Sequence, residues 1–298
     1  MEDRILKSNG LLLLTAAIWG FAFVAQRVGM NYVGPFTFNS VRFALGSLTL
    51  LPFLIVTERR QPRSNLGRKT MILMCGITGC VLFMGASLQQ VGLIYTTAGK
   101  AGFITGLYVV MVPIFGLVLR QHTDVGTWIG ALSATAGLYF LSVTEQFTIQ
   151  YGDLLVLIGA FFWTVHVLII GWLSPRMNPV KIAFVQFVIC SALSSIVALF
   201  TEVIVMTGIY QAALPVIYGG AFSVGIAYTL QVVAQKNAHP AHAAIILSLE
   251  TVFAALGGWI ILNEMLSMRE ISGCVLMLAG MLFSQLWGYR LYLQRKGS

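Results

Sequence analysis

Ten apolar runs, each about as long as a lipid hydrocarbon core is thick, follow one another along this chain with only short polar breaks between them. They lie near 9–28, 36–56, 70–90, 98–119, 126–143, 153–172, 181–200, 213–235, 241–262 and 270–289. A helix needs about 20 apolar residues to cross roughly 30 Å of hydrocarbon, and each run meets that length. The chain is 58% hydrophobic and 9% charged, against about 25% charged in soluble domains, so too few charges remain for a water-facing surface. Inside lipid the backbone must satisfy its own hydrogen bonds, which leaves helices or closed barrels. Long runs such as Gly10 to Ala25, rather than short alternating strands, select helices. An all-α integral membrane protein of ten transmembrane helices is expected.

The breaks between runs hold turn-forming pairs, Gly34-Pro35, Gln61-Pro62, Ser174-Pro175 and Asn178-Pro179, and none is long enough for a separate soluble domain. The first run has a basic start at Arg4 and Lys7 but no small-x-small cleavage site before Gln26-Arg27, so it is expected to remain in the mature protein. With both termini on one side, that side receives Arg4, Lys7, Arg59, Arg60, Arg63, Arg68, Lys69, Arg120, Arg176, Lys181, Lys236, Arg290, Arg295 and Lys296, fourteen of the 18 basic residues. The positive-inside rule then places the N- and C-termini in the cytoplasm and the chain in the cytoplasmic (inner) membrane. The net charge of +8 is spread through these loops without interleaved aromatics, so no nucleic-acid partner is implied. Cys75, Cys80, Cys190 and Cys274 all fall in apolar runs with no C-x-x-C pair, so neither a disulfide framework nor a metal site is expected.

The chain repeats itself. Trp19 and Pro35 have the same spacing as Trp163 and Pro179; in that register Ala16 meets Ala160 and Phe43 meets Phe187. After a slip of one residue, Ala98 meets Ala241, Val109 meets Val252, Gly130 meets Gly273, and Ala136-Gly137 meets Ala279-Gly280. The expected units are residues 1–146 with spans one to five and 147–298 with spans six to ten. An odd number of spans per unit makes the second copy enter the membrane from the opposite face: two inverted five-helix repeats, 5+5. Inverted repeats place a site at their interface near the bilayer midplane and give alternating access by rocking.

The strings AAIWGFAFVAQRVGMNYVGPFTFNSVRFALG, TTAGKAGFITGLYVVMVP and ILSLETVFAALGGWIILNE resemble EamA-type permeases of the drug/metabolite transporter superfamily, and the resemblance covers nearly the whole chain. It implies ten helices in a 5+5 inverted arrangement, with helices one to four and six to nine lining a central cavity and helices five and ten set aside. Where the family often has Glu-Pro in helix nine, this chain has Glu250-Thr251. Members export amino acids or other metabolites, or take up solutes, so the resemblance does not name the cargo. Helices five and ten also read as packing helices, with Gly130/Ala134 and Ser133/Gly137 at four-residue spacing. A homodimer contact there and packing within one monomer both remain open.

Ionisable groups within spans cost about 2.5–3.5 kcal/mol on the insertion scale, so each needs a reason. Arg42 either snorkels outward or binds an anion in the cavity, and its repeat mate Gln186 is also polar. Glu250 lies near the middle of helix nine, as a proton-coupling group, a partner for a substrate ammonium, or an interhelical hydrogen bond. His166 in helix six is a second titratable candidate. Lys100 and Arg27, near the ends of spans, face either the same vestibule or lipid headgroups. Gln89, Tyr108 and Tyr228, with Gln26, Gln90, Gln231 and Gln235, are either helix-to-helix ties or ligand contacts, and Trp19 and Trp163 are mates near the midplane that either line the cavity or pack the halves together.

The Gly99-Lys100 pair is no phosphate loop, because Ile94 stands where the first glycine is needed and Ala101 replaces Ser/Thr. There is no H-E-x-x-H, G-x-S-x-G or nucleotide-binding cassette, so neither an enzyme nor a cofactor is expected. The expected function is secondary, ATP-independent transport of small organic metabolites, with export of an amino acid or similar compound favoured. Uptake, or multidrug and cation export on the same fold, is the alternative, followed by a channel or a non-transporting scaffold.

Overall fold

The computed structural model describes residues 2–58, 67–96, 98–121, 123–142, 150–262 and 267–297. The 146/147 boundary lies outside these residues, as do the side chains of Arg4, Arg59, Arg60, Arg63, Lys100, Arg290, Arg295 and Lys296. Among the described residues every element is a helix: α1 Glu2–Gly29, α2 Pro35–Glu58, α3 Arg68–Tyr95, α4 Ala98–Gly106, α5 Tyr108–Val118, α6 Val125–Ser142, α7 Tyr151–Leu173, α8 Pro179–Thr201, α9 Met206–Gln211 and α10 Ala213–Ile217. A π-helix, Tyr218–Tyr228, then leads to α11 Thr229–Ala234, α12 Pro240–Leu247, α13 Glu250–Leu262 and α14 Met268–Gly297.

Nine helical stretches among the described residues are long and apolar enough to cross a membrane. The expected fifth span is present as α6, an 18-residue helix, but is not one of the nine. The outer surface is itself apolar: Val203 is 91% exposed, Phe200 85% and Leu199 71%. Water would not tolerate such a belt, whereas lipid is its natural solvent.

The short connections carry their own start signals. Asn178 caps α8 by accepting from the Val180 N–H at 2.9 Å, with Pro179 in the first turn. Gln150 and Asp153 form a reciprocal capping box on α7, and Ser267 with Glu270 does the same for α14. Asp124 caps α6 through the Thr127 N–H (3.0 Å) and hydroxyl (2.8 Å), and its carboxylate also lies 3.5 Å from His242 Nε2 on α12. The His242 and Thr127 hydrogen bonds hold the Asp124 carboxyl well below the usual range despite its partial burial. A depressed carboxyl adds stability above its unfolded value, and that stability disappears as pH falls through the depressed value. Asp124→Ala should therefore lower stability by about 1 kcal/mol. Thermal melting in detergent should show the full difference at neutral pH, with the gap closing only well below about pH 4.

The helices pack in pairs: α2 along α8, α3 along α7, and α6 along α14. The last pair is packed backbone to backbone through glycines. A Cβ on Gly130 would stand 2.8 Å from the Gly280 carbonyl, and one on Gly137 would stand 2.6 Å from the Gly273 carbonyl. The absence of side chains at these positions is what lets the two backbones touch. Asn9 near the start of α1 donates to Gln285 near the end of α14 at 2.7 Å, so the two terminal helices meet at one end of the bundle.

Three segments depart from regular α-helix. Between α4 and α5, and again between α12 and α13, i→i+3 bonds interrupt the α pattern: Leu107 N to Ile104 O at 3.3 Å and Val110 N to Leu107 O at 3.1 Å, then Leu249 N to Ile246 O and Thr251 N to Ser248 O, both at 3.2 Å. The second break needs no proline. The Ser248 hydroxyl bonds back to the Ile245 carbonyl at 2.8 Å and competes with the helix there. The eleven-residue π-helix is the other departure; its carbonyls at Ser223 and Ala227 accept from Trp19 Nε1 (3.2 Å) and the Thr15 hydroxyl (3.2 Å) of α1.

Candidate functional site

The breaks, the π-helix and parts of α1, α2, α3 and α7 line a narrow central cavity that is partly open to solvent. Discontinuous helices expose main-chain polarity at membrane depth, which is tolerated where it lines a cavity. Seven of the nine residues expected at the site line it: Trp19, Arg42, Gln89, Tyr108, Trp163, Tyr228 and Glu250.

Arg42 projects from α2 and is only 3% exposed. Its Nε donates to Asn39 Oδ1 at 2.9 Å, and its guanidinium lies over the Phe43 ring at 5.0 Å and the Phe38 ring at 5.6 Å. No carboxylate within ion-pair distance balances it among the described residues. Glu250, the first residue of α13 and 6% exposed, receives one long hydrogen bond, 3.4 Å, from the Tyr108 hydroxyl across the cavity. Two ionisable side chains of opposite sign thus face one buried space with most of their bonding capacity unused.

Aromatic rings form the rest of the wall. Tyr228 sits between the repeat mates, 4.5 Å from Trp19 and stacked on Trp163 at 6.1 Å and 27°. Each indole N–H is anchored, Trp19 on the Ser223 carbonyl and Trp163 on Gln89 Oε1 at 2.8 Å. The rings are therefore fixed before any solute arrives.

Gln186 and His166 are not among the lining residues. They bond one another at 2.8 Å between α7 and α8, and the His166 ring packs against Trp163 and Tyr228 from behind. Arg27, also weighed for the vestibule, lies exposed in the last turn of α1. Thr105 and Ser223 line the cavity and were not singled out from the sequence; Gln26 and Gln231 line it as well. Gln26 Oε1, Thr105 Oγ1 and Gln231 Oε1 are buried without a hydrogen-bond partner among the described residues. Buried polar atoms are normally bonded, so these three oxygens, on residues that line the same cavity as Glu250, are unused hydrogen-bonding capacity. Among the described residues no cluster of metal ligands occurs.

The model of the EamA-like transporter family matches residues 6–143 and again residues 150–286. An uncharacterized transporter of Archaeoglobus fulgidus is 35% identical over 278 residues, spanning 92% of this chain and 84% of that protein. The uncharacterized transporter YoaV of Bacillus subtilis is 24% identical over 293 residues, spanning 91% and 94%. A solved crystal structure superimposes with a TM-score of 0.77 over 95% of this chain and 98% of that one; at 20% identity it speaks for the fold alone. With the family model covering both halves of a helical membrane protein built around a buried polar cavity, the chain belongs to the EamA-like transporter family of membrane transporters.

Proposed function

We propose that this transporter is a secondary carrier of small metabolites bearing both an acidic and a basic group, amino acids foremost, and that it works by alternating access. The observation that carries the reading is that Arg42 and Glu250, a cationic and an acidic side chain with no ion-pair partner among the described residues, line one cavity. Arg42 would take a carboxylate through its remaining N–H groups. Glu250 with the idle oxygens of Thr105, Gln26 and Gln231 would take an ammonium, and the Trp19–Tyr228–Trp163 wall the apolar body.

Alternating access rests on a ten-span, 5+5 inverted architecture with units 1–146 and 147–298. The pattern of helix contacts supports it. Exchanging the halves maps the α2–α8 pair and the α6–α14 pair each onto itself, and maps α3–α7 onto the π-helix packed on α1. The mates Phe43 and Phe187 meet at 6.1 Å, as residues beside a two-fold axis would. Asn9 bonded to Gln285 suits termini on one side, which the basic loops assign to the cytoplasm, and export from the cell is the favoured direction. A homodimer through α6 and α14 is disfavoured, since these helices spend their glycine faces on each other.

Purified protein in liposomes loaded with unlabelled amino acids should accumulate labelled amino acid by counterflow. Absence of counterflow across acidic, basic and aromatic amino acids would sink this substrate class. One observation favours a second reading: a carboxylate beside three aromatic rings suits an organic cation. In that case labelled quaternary amines would exchange while amino acids would not.

A further inference from the structure

At the end of the bundle away from the termini, α2 and α8 are fastened to each other. There α2 begins at Pro35 and α8 ends at Thr201. Glu202, just past the end of α8, reaches across to the first turn of α2. Its Oε1 accepts from the Phe36 N–H at 2.8 Å, and its Oε2 accepts from the Thr37 N–H at 2.8 Å and the Thr37 hydroxyl at 2.6 Å. A Cβ on Gly34 would fall 2.2 Å from the Glu202 carboxyl carbon, so the turn before α2 is bare where the carboxylate lies. The carboxylate occupies N–H groups that no intrahelical carbonyl can reach, at the positive end of α2.

The fastening continues down the same interface. Ser40 and Ser195 share a hydrogen bond of 2.6 Å, and the Ser191 hydroxyl donates to the Ser40 carbonyl at 2.9 Å. These contacts all lie on one side of the Phe43–Phe187 crossing. The repeat register provides an internal comparison, because Ser47 is the mate of Ser191 and Phe184 the mate of Ser40. If both ends were fastened alike, Ser47 would donate to the Phe184 carbonyl; instead it bonds within its own helix, to Ala44 at 2.8 Å. The α2–α8 crossing is thus hydrogen-bonded across at the far end, and its mate serine at the terminal end is turned away.

We infer that Glu202 is a gating residue: it latches α2 to α8 at the far face of the membrane and must release the first turn of α2 before the cavity can open to that face. This rests on the alternating-access reading. In the opposite state the comparison exchanges ends, with Glu202 free and the Ser47 hydroxyl on the Phe184 carbonyl. Nothing in the cavity chemistry requires Glu202, which lines no part of it.

The latch is tested by access rather than by transport. Cys75, Cys80, Cys190 and Cys274 are replaced by alanine, Ala22→Cys is introduced as a cavity reporter, and the rate of labelling by a membrane-impermeant maleimide is measured from each face of sealed vesicles. Glu202→Ala should raise labelling from the far face by about tenfold, as expected for loss of hydrogen bonds to a charged acceptor, and Glu202→Gln should raise it less. Thr37→Val, which removes only the hydroxyl contact, should give a smaller rise in the same direction and serves if Glu202→Ala fails to fold. Equal far-face rates in parent and variants, with unchanged helicity, overturn the latch. Faster labelling in a protein that shows no amino-acid counterflow keeps the latch and removes the amino-acid reading instead.

Discussion

Arg42→Met is expected to abolish uptake of labelled amino acids into counterflow vesicles while leaving the melting temperature unchanged or higher. Truncating one partner of a buried, hydrogen-bonded charge pair commonly costs about 2–5 kcal/mol of binding. At 1.4 kcal/mol per factor of ten, that is roughly a 30-fold loss or more of affinity for a carboxylate. The opposite sign for stability follows from the resting structure: the guanidinium is 3% exposed, bonded through Nε to Asn39, with no carboxylate balancing it among the described residues. Burying such a charge is costly, and methionine fills a similar volume without it. A residue kept against stability is best explained by what it binds. Amino-acid esters, which lack the carboxylate, should be insensitive to Arg42→Met, whereas Glu250→Gln should impair esters and free amino acids alike and spare carboxylates without an amine. If counterflow of free amino acids survives both substitutions, the assignment of the two charges to substrate is wrong.

The second large effect is structural. Gly137→Leu should unfold the α6–α14 contact, because even its Cβ would lie 2.5 Å from Met277 Cγ and 2.6 Å from the Gly273 carbonyl. Backbone cannot step aside as a flexible side chain can, so the cost should exceed the usual overpacking range of about 1–3 kcal/mol. Gly10→Ala is the control. A Cβ there meets nothing within 4 Å on exposed helix, and replacing a helical glycine should be neutral or gain about 0.5–1 kcal/mol. Thermal melts of the two variants in one detergent should move in opposite directions or differ widely; a parent-like melt for Gly137→Leu would show that α6 and α14 are not held this closely.

Much of the cavity lining was legible in the sequence. Arg42 and Glu250 stood out because a charge within an apolar run is rare and must be accounted for. Trp19 and Trp163 stood out through the repeat. Gln186 and His166 carried the same signal but spend it on each other, and only tertiary packing decides whether two polar groups on neighbouring helices meet or face a cavity. Thr105 and Ser223 were invisible for the opposite reason, since small hydroxyls are common in membrane helices and commonly bond to their own backbone. The break before Glu250 was hidden by the missing proline; what marks it is the Ser248 hydroxyl bonded back to the Ile245 carbonyl. Glu202 gave no signal because it falls at the end of a run, where acidic residues are unremarkable.

The π-helix sets a limit on how this cavity can be altered. Its face toward α1 is polar through the carbonyls of Ser223 and Ala227, which Trp19 and Thr15 hold, and a carbonyl is carried by every residue alike. Side-chain replacement along Tyr218–Tyr228 therefore changes the shape of that wall but leaves its main-chain acceptors in place. New cargo preferences would have to arise on the opposite walls, from α2, α4 and α13, where polarity resides in replaceable side chains. On the proposed assignment of Arg42, Thr105 and Glu250, a relative with different residues there would keep the same main-chain acceptors and is expected to prefer a different cargo.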